Sequence, residues 1–114
     1  MFIEGKFTSL NNYIAAERTN RYKAAALKKA QTQLVYYQVR HKKIETPCKL
    51  LFTWHIKDKR TDPDNIAFAK KYILDGLVQA NVIPDDTFAH IKGFVDEFVI
   101  SKKVGVKIER IEEE

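Results

Sequence analysis

The sequence predicts a small α+β domain in the order β-α-β-α-β-β, with a mixed sheet of about four strands packed by two helices. Two kinds of pattern predict it. In some segments apolar and polar residues alternate, as in half-buried strands; in others apolar residues recur every three or four positions, as in amphipathic helices. The 114 residues, of which 45% are hydrophobic and 31% charged, suffice for one soluble globular domain with a core of modest size.

The first part of the chain carries one short strand and one long helix. The strand is predicted within 2–7 and is followed by a polar loop at 8–13. From about Glu17 to His41 apolar residues recur at helical spacing. The predicted apolar stripe of this helix is Leu27, Ala30, Leu34, Tyr37 and His41.

The second part carries three strands and one helix. Residues 49–56 form the clearest strand, with Leu50, Phe52, Trp54 and Ile56 on one face. The helix runs from about Asn65 to Ala80, and its apolar stripe is Ile66, Ala69, Ile73 and Leu77. The strands at 94–100 and 104–109 are expected to pair as a hairpin, and the acidic tail 112–114 is expected to be frayed.

Charge and cysteine content narrow the functional classes. A net charge of +5 and a pI of about 9.3 favour a polyanionic partner, such as nucleic acid or a membrane surface. Cys48 is the single cysteine, so an internal disulfide is excluded, a small buried thiol is expected and a cytoplasmic location is the default. No apolar run reaches membrane-spanning length and the N-terminus lacks a signal-peptide pattern, so no membrane segment is expected.

Two acidic pairs flank the predicted second helix. Asp62 and Asp64 precede it and are separated by Pro63, which holds the preceding residue extended, so both carboxylates are expected to project together. Asp85 and Asp86 follow it, and a compact return of the chain would bring them near the first pair. Like charges held this close need a cation, a shared proton or open water. Oxygen ligands without histidine or cysteine suit Mg²⁺, with Mn²⁺ as an alternative, rather than zinc.

The same residues also fit a purely structural interpretation. Asp64 or Asn65 is a common type of helix N-cap, and Asp85-Asp86 is a common composition for a solvated turn. Asp, Asn and Pro are residues that helix starts and turns use in any case. The spacing therefore leaves two interpretations open, a metal site or two ordinary helix boundaries.

Basic residues of a single sign concentrate on the first helix and beside the first acidic pair. Between Glu17 and Lys43 the only acid is Glu17, and tyrosines are interleaved with the bases, as at surfaces that combine phosphate neutralisation with base stacking. A solvated helix face is the ordinary alternative. The candidate DNA-binding residues are Asn11, Asn12, Arg18, Arg21, Lys23, Lys28, Lys59 and Arg60.

Three segments carry a resemblance to a known family. Asp62-Pro63-Asp64-Asn65, the helix leading to Leu74-Asp75-Gly76-Leu77, and Pro84-Asp85-Asp86 together resemble the RusA family of Holliday-junction resolvases, in a phage-type form. That family's signature is an Asp-x-Asp-Asn segment, a helix with an Asp-Ala-Leu-like step and a closing acidic pair. The segments 9–13 and 18–29 also look like phage-borne members, so the resemblance covers nearly the whole chain as one endonuclease domain.

The resemblance implies a homodimeric, Mg²⁺-dependent endonuclease that resolves four-way DNA junctions by paired, symmetric cuts. It implies that Asp62, Asp64 and Asp86 are the catalytic, metal-binding carboxylates, with Asp85 as a close alternative to Asp86.

The resemblance also implies a catalytic lysine early in the second helix. The family commonly has it three residues after the Asn, where this chain has Phe68. A longer segment at the helix start brings Lys71 into the lysine's place, with Lys70 adjacent. A non-catalytic basic DNA-binding module is the alternative function, because it explains the basic helix without the acids. An RNA-directed, toxin-like nuclease is a third.

Overall fold

Helices pack on one face of a four-stranded sheet in the computed structural model, which describes residues 1–111. The elements in chain order are β1 (Phe2–Glu4), α1 (Leu10–Thr19), α2 (Arg21–Val39), β2 (Cys48–Ile56), α3 (Pro63–Ala67), α4 (Lys70–Gln79), β3 (Ile91–Ile100) and β4 (Gly105–Ile111). The α+β class and the mixed sheet are confirmed, while each predicted helical segment consists of two helices. The acidic tail 112–114 lies outside the described residues.

The sheet has the order β1-β4-β2-β3, in which β2 pairs parallel with β3 and antiparallel with β4. The predicted hairpin between the last two strands is therefore wrong, because β2 lies between them. The turn that joins them passes the end of β2, where the Ser101 N–H donates to the Ile56 carbonyl (2.9 Å). The central position suits β2 because Leu50, Phe52 and Trp54 are at most 2% exposed.

The chain between β1 and β2 forms two helices because Asn20 interrupts it. Asn20 is extended (φ −169°, ψ 123°), and its side chain accepts from the Tyr22 N–H (2.7 Å), which caps α2. The polar segment predicted as a loop at 8–13 instead begins α1. Its Ser9 is the N-cap, and Ser9 Oγ accepts from the Asn12 N–H (3.3 Å). The polar residues that predicted a loop therefore form the capped N-terminus of α1.

The buried face of α2 differs from the predicted stripe. Ala24, Thr32, Val35 and Val39 are buried, whereas Tyr37 is 61% exposed and His41 is exposed. The reason is the fit against α4, where Val35 lies over Gly76: a Cβ on Gly76 would come within 2.6 Å of the Val35 side chain. Small and β-branched residues therefore allow the two helices to approach closely, which the larger side chains of the predicted stripe do not.

The apolar stripe predicted for the second helical segment is buried except at Ile66, which lies on α3 and is half-buried. Ala69, Ile73 and Leu77 of α4 are at most 1% exposed and join the core above β2, as their spacing predicts. Cys48 is buried at the start of β2, and this burial raises the pKa of its thiol.

Candidate functional site

The first acidic pair lies at the start of α3, six residues after the C-terminal end of β2. Asp62 is the N-cap residue, with an extended backbone (φ −67°, ψ 152°), Pro63 follows in the first turn, and Asp64 lies in the same turn. The sequence folds this way because a proline fits the first turn of a helix and forces the residue before it out of helical conformation. Both carboxylates are exposed, and the positive end of the helix backbone favours their negative charge.

The first acidic pair fits the interpretation as a helix N-cap only in part. The N-cap is Asp62 rather than Asp64 or Asn65, and its side chain makes no capping hydrogen bond. The Asn65 side chain instead accepts from the Asn11 N–H (3.1 Å), which ties the start of α1 to α3. The Asp62 carboxylate is therefore not consumed in stabilising the helix start and faces solvent.

The second acidic pair lies along the groove between α2 and α4. Asp85 and Asp86 line a cavity of about 600 Å³ together with Lys28, Lys29 and Asp75. Asp85 Oδ1 accepts from the Asp86 N–H (2.8 Å), so the Asp85 side chain stabilises its own turn, as the structural interpretation expects.

The two acidic pairs lie at opposite ends of the parallel strands. In β2 and β3, Cys48 is beside Ile91 and Ile56 is beside Ile100. Asp62 follows the C-terminal end of β2 and Asp86 precedes the N-terminal end of β3, and nine strand residues span about 30 Å. The convergence expected from the sequence is not found within one chain. A helix that connects parallel strands must return the chain to the opposite end of the sheet.

The carboxylates of the described residues do not form a three-ligand metal site. Among residues 1–111, no group of three or more His, Cys, Asp or Glu side chains is placed to hold a metal ion. Asp62 and Asp64 at one end, and Asp85 and Asp86 at the other, are thus separate pairs in this chain.

The two candidate lysines have different surroundings. Lys70 is 18% exposed and its Nζ is 2.6 Å from Asp96 Oδ2 and 4.7 Å from the centre of the Phe94 ring. The other oxygen of Asp96 accepts from Trp54 Nε1 (2.9 Å). Lys71 is more exposed, and its Nζ is 3.2 Å from Asp75 Oδ1. The Lys70–Asp96–Trp54 network was not predicted, because it depends on the register of β2 against β3.

Two pockets flank the first acidic pair, and Ile56, Thr61 and Ile66 line both. The first, of about 230 Å³, is mostly apolar and is completed by Lys59, Asp62, Pro63, Phe98 and Ile100. The second, of about 240 Å³, has a polar rim and lies towards the start of α1, where Ser9 and Asn12 line it. Asp62 therefore lines the apolar pocket, and the polar pocket adjoins it through the three shared residues.

The predicted DNA-binding residues divide into three places. Asn11, Asn12, Lys59 and Arg60 lie at the end of the sheet that carries Asp62, since Asn11 contacts α3 and Lys59 shares a pocket with Asp62. Arg60 also lies 3.9 Å from Asp58. The next group consists of Arg18, Arg21 and Lys23, which are exposed where α1 meets α2. The last is Lys28, whose Nζ is 3.8 Å from Asp75 in the groove with the second acidic pair.

One buried polar group has no partner in the described part of the chain. The Tyr72 hydroxyl makes no hydrogen bond, although the residue is 1% exposed and packs against Tyr13 and Phe68. Burial, and secondarily the neighbouring Tyr13, raises the pKa of Tyr72 to about 12. Neither effect involves the acidic pairs, so Tyr72 concerns stability rather than the candidate site.

Comparison with models of known protein families and with curated proteins finds no match. In the described residues, no helix is both long and apolar enough to cross a membrane.

Proposed function

We propose that this protein is a Mg²⁺-dependent DNA endonuclease that cuts branched DNA, with four-way junctions as its preferred substrate. One observation carries the proposal: Asp62 and Asp64 stand exposed at the start of α3, and the Asp62 side chain does not cap the helix. The two carboxylates lie beside Lys59 and Arg60, and that of Asp62 makes no capping hydrogen bond. This arrangement suits binding of a cation and a phosphate substrate better than a purely structural role at a helix start. The resemblance of the Asp-Pro-Asp-Asn segment to RusA-type resolvases supports the choice of junction DNA.

The acidic pair fits a magnesium ion without further protein ligands. Mg²⁺ keeps several waters and commonly binds through one or two carboxylates together with phosphate oxygens of the substrate. Asp62 and Asp64 would supply those carboxylates, and Mn²⁺ suits the same oxygen ligands. When bound, the ion supplies Lewis acidity at the phosphoryl group and activates a water.

The chain's own residues have the task of bringing DNA to an acidic site. Exposed carboxylates repel phosphate, and Lys59 and Arg60 at the same end of the sheet offset that repulsion. Asn11 and Asn12 add polar side chains on the first turn of α1, next to the polar pocket. Arg18, Arg21 and Lys23 lie further along the same pair of helices and extend the basic surface for a duplex arm. Lys71 is the better candidate for the lysine that approaches phosphate, because Lys70 is engaged by Asp96 inside the protein.

The proposal is tested by cleavage of labelled substrates by the wild type and by Asp64→Asn. With Mg²⁺, the wild type is expected to cut a four-way junction in preference to duplex DNA and single-stranded RNA. Asp64→Asn is expected to lose cleavage by about 100-fold or more while binding the junction normally, since electrostatic catalytic groups commonly contribute that much. Glu109→Gln, which removes an exposed carboxylate on β4 far from α3, is the matched control and should cut like the wild type.

A non-catalytic DNA-binding module is the second candidate, favoured by the separation of the two acidic pairs within one chain. It predicts that no substrate is cut, and that Asp64→Asn binds the junction as tightly as the wild type or more tightly, because a repulsive charge is gone. Preferential cleavage of the RNA would point instead to the RNA-directed nuclease.

A further inference from the structure

The polar pocket, of about 240 Å³, opens beside the first acidic pair. It lies between the end of β2, the starts of α1 and β4, and α3. Thr61 lines it and directly precedes Asp62, so the Cα atoms of these two residues are about 3.8 Å apart. A ligand in this pocket therefore lies next to the candidate site.

The inside of the pocket is apolar. Its apolar lining residues are Phe7, Trp54, Ile56, Ile66 and Val104. Trp54 and Val106 pair across β2 and β4 and are both buried, so alternation puts Val104 on the same, helix-covered face of the sheet. The pocket thus continues the surface that the helices cover elsewhere, and it suits the flat face of an aromatic ring system.

Two hydrogen bonds fix the walls of the pocket. The Gly5 N–H donates to the Val104 carbonyl (3.1 Å), which holds the segment after β1 against the start of β4. Gly5 has a φ of +141°, which glycine adopts without strain. On the other side, the Asn11 N–H donates to Asn65 Oδ1 (3.1 Å) and holds α1 to α3. The pocket is therefore formed before any ligand binds, which lowers the cost of ordering on binding.

The rim of the pocket has an excess of positive charge. Lys6 and Lys57 line it and are exposed, and neither forms an ion pair with another residue in 1–111. Asp58 also lies on the rim, but its Oδ1 accepts from the Arg60 N–H (3.0 Å) and its Oδ2 is 3.9 Å from Arg60 Nε. The rim is therefore complementary to an anion, and phosphate groups are the anions that a DNA substrate carries.

Size and polar groups narrow the ligand further. Pockets that take whole small molecules commonly measure about 300–1,000 Å³, so a pocket of about 240 Å³ admits one ring system and leaves a sugar and its phosphate at the rim. Asn12 and Thr61 also line the pocket, and their side chains make no hydrogen bond within the described chain. An amide and a hydroxyl can both donate and accept, as is needed at the edge of a nucleobase.

We propose that the polar pocket binds a single unstacked base of the DNA strand that is cut, with Lys6 and Lys57 on the neighbouring phosphates. This inference rests on the proposed function, since the pocket adjoins Asp62. Taking a base out of the stack costs least where pairing or stacking is already interrupted, as at the crossover of a four-way junction. The pocket therefore favours branched DNA over continuous duplex, and it sets which phosphate of the strand reaches Asp62 and Asp64.

The pocket is tested by measuring junction binding in the presence of a chelator, so that no divalent ion is bound and cleavage plays no part. Immobile four-way junctions are prepared with an abasic residue at each position around the crossover in turn. Removal of the base that enters the pocket should weaken binding to the wild type by about 10-fold, which is the value of one stacked base. Removal of the other bases near the crossover should not cause this loss.

Two substitutions at Val104 show whether the sensitivity comes from this pocket. Val104→Phe fills the pocket, so binding of the intact junction should weaken by about the same 10-fold, and the abasic residue should cause no further loss. Val104→Ala alters the same residue but leaves the pocket open, so it should keep the wild-type sensitivity. A wild type that is insensitive at every position, or a Val104→Phe protein as sensitive as the wild type, overturns the proposal.

The rim lysines are exposed, so replacing them gives a second test that leaves the core untouched. Lys6→Ala and Lys57→Ala should each reduce the slope of log Kd against log salt concentration by about one unit. Lys107→Ala on β4 is the matched control, because this exposed lysine lies 3.4 Å from Glu109 and does not line the pocket, and it should leave the slope unchanged. An unchanged slope in both rim variants contradicts the proposal.

These measurements separate the pocket from the proposed function. Cleavage of junctions in Mg²⁺ by a wild type that is insensitive to every abasic residue refutes the pocket and leaves the endonuclease. The predicted coupling without any cleavage supports the pocket and refutes the endonuclease. A protein that does not bind the junction refutes both.

Discussion

Replacing Asp96 by Asn should destabilise the fold, although Asp96 belongs to neither acidic pair. Its carboxylate joins β3 to α4 and β2, since one oxygen is 2.6 Å from Lys70 Nζ and the other accepts from Trp54 Nε1 at 2.9 Å. An asparagine keeps the Trp54 bond through its oxygen and turns its NH₂ group towards the Lys70 ammonium. A charge-assisted bond is thereby replaced by two facing donors.

The expected cost follows from the burial of this network. Hydrogen bonds to charged groups contribute about 1.5–3 kcal/mol, and the side chains of Lys70 and Asp96 are 18% and 27% exposed, so solvent weakens the bond only in part. Asp96→Asn should therefore lower the free energy of unfolding by about 2 kcal/mol. Asp96→Ala should lower it by about 3 kcal/mol, because the indole N–H of Trp54 also loses its partner. For a chain of this size the first change lowers Tm by about 8 °C.

Urea unfolding followed by the fluorescence of Trp54, the single tryptophan, measures both values. All samples are compared at one protein concentration, because association between copies of a chain makes apparent stability depend on concentration. Glu109→Gln is the control: it removes an exposed ion pair with Lys107 and should change stability by less than about 0.5 kcal/mol. An Asp96→Asn protein as stable as the wild type would show that the network contributes nothing and refute this reasoning.

Three further predictions concern the helices. Tyr72→Phe should be neutral or stabilising, because it removes an unpaired buried hydroxyl. The folded state also holds the Tyr72 proton more tightly than the unfolded state does. Wild-type stability should therefore fall as pH rises from 10 to about 12, and the phenylalanine variant should fall less over that range. Gly76→Ala should cost about 1–3 kcal/mol through its clash with Val35, and less than that in a Val35→Ala background, as urea unfolding of the four proteins would reveal. Lys71→Met should slow junction cleavage without loss of stability, whereas Lys70→Met should lower the urea midpoint of unfolding. The opposite pattern would assign the phosphate-contacting role to Lys70 and the structural role to Lys71.

The sequence predicted burial correctly where a strand or helix has only one apolar face. The alternation of Leu50, Phe52 and Trp54 predicts the central strand, and the spacing of Ala69, Ile73 and Leu77 predicts the buried face of α4. In both cases a single apolar face exists, so burial has no alternative.

The sequence was misleading where a helix has two apolar faces, either of which could be buried. Helix α2 has a stripe through Leu34 and Tyr37 and another through Val35 and Val39, and periodicity does not rank them. The choice is made by Gly76 on a different helix, which admits Val35 closely. The predicted hairpin is wrong for a related reason. Strands that are neighbours in sequence pair with each other only if no third strand lies between them, and here β2 does.

The placement of the candidate site residues was predicted only in part. The segment Asp62-Pro63-Asp64 does begin a helix with both carboxylates exposed. Asp86 lies at the opposite end of the strands from Asp62 because β2 and β3 pair in parallel. The local sequence of a strand does not determine the direction in which it pairs. The same pairing places β3 at an edge of the sheet.

The most direct measurement of the central claim is cleavage of a labelled mobile four-way junction by the wild-type protein, with and without Mg²⁺, with the nick positions mapped on all four strands. We expect no cleavage without the ion and, with it, paired nicks placed symmetrically across the junction. Tight binding of the junction with no nick on any strand, in the presence of Mg²⁺ or Mn²⁺, would contradict it and leave a DNA-binding module.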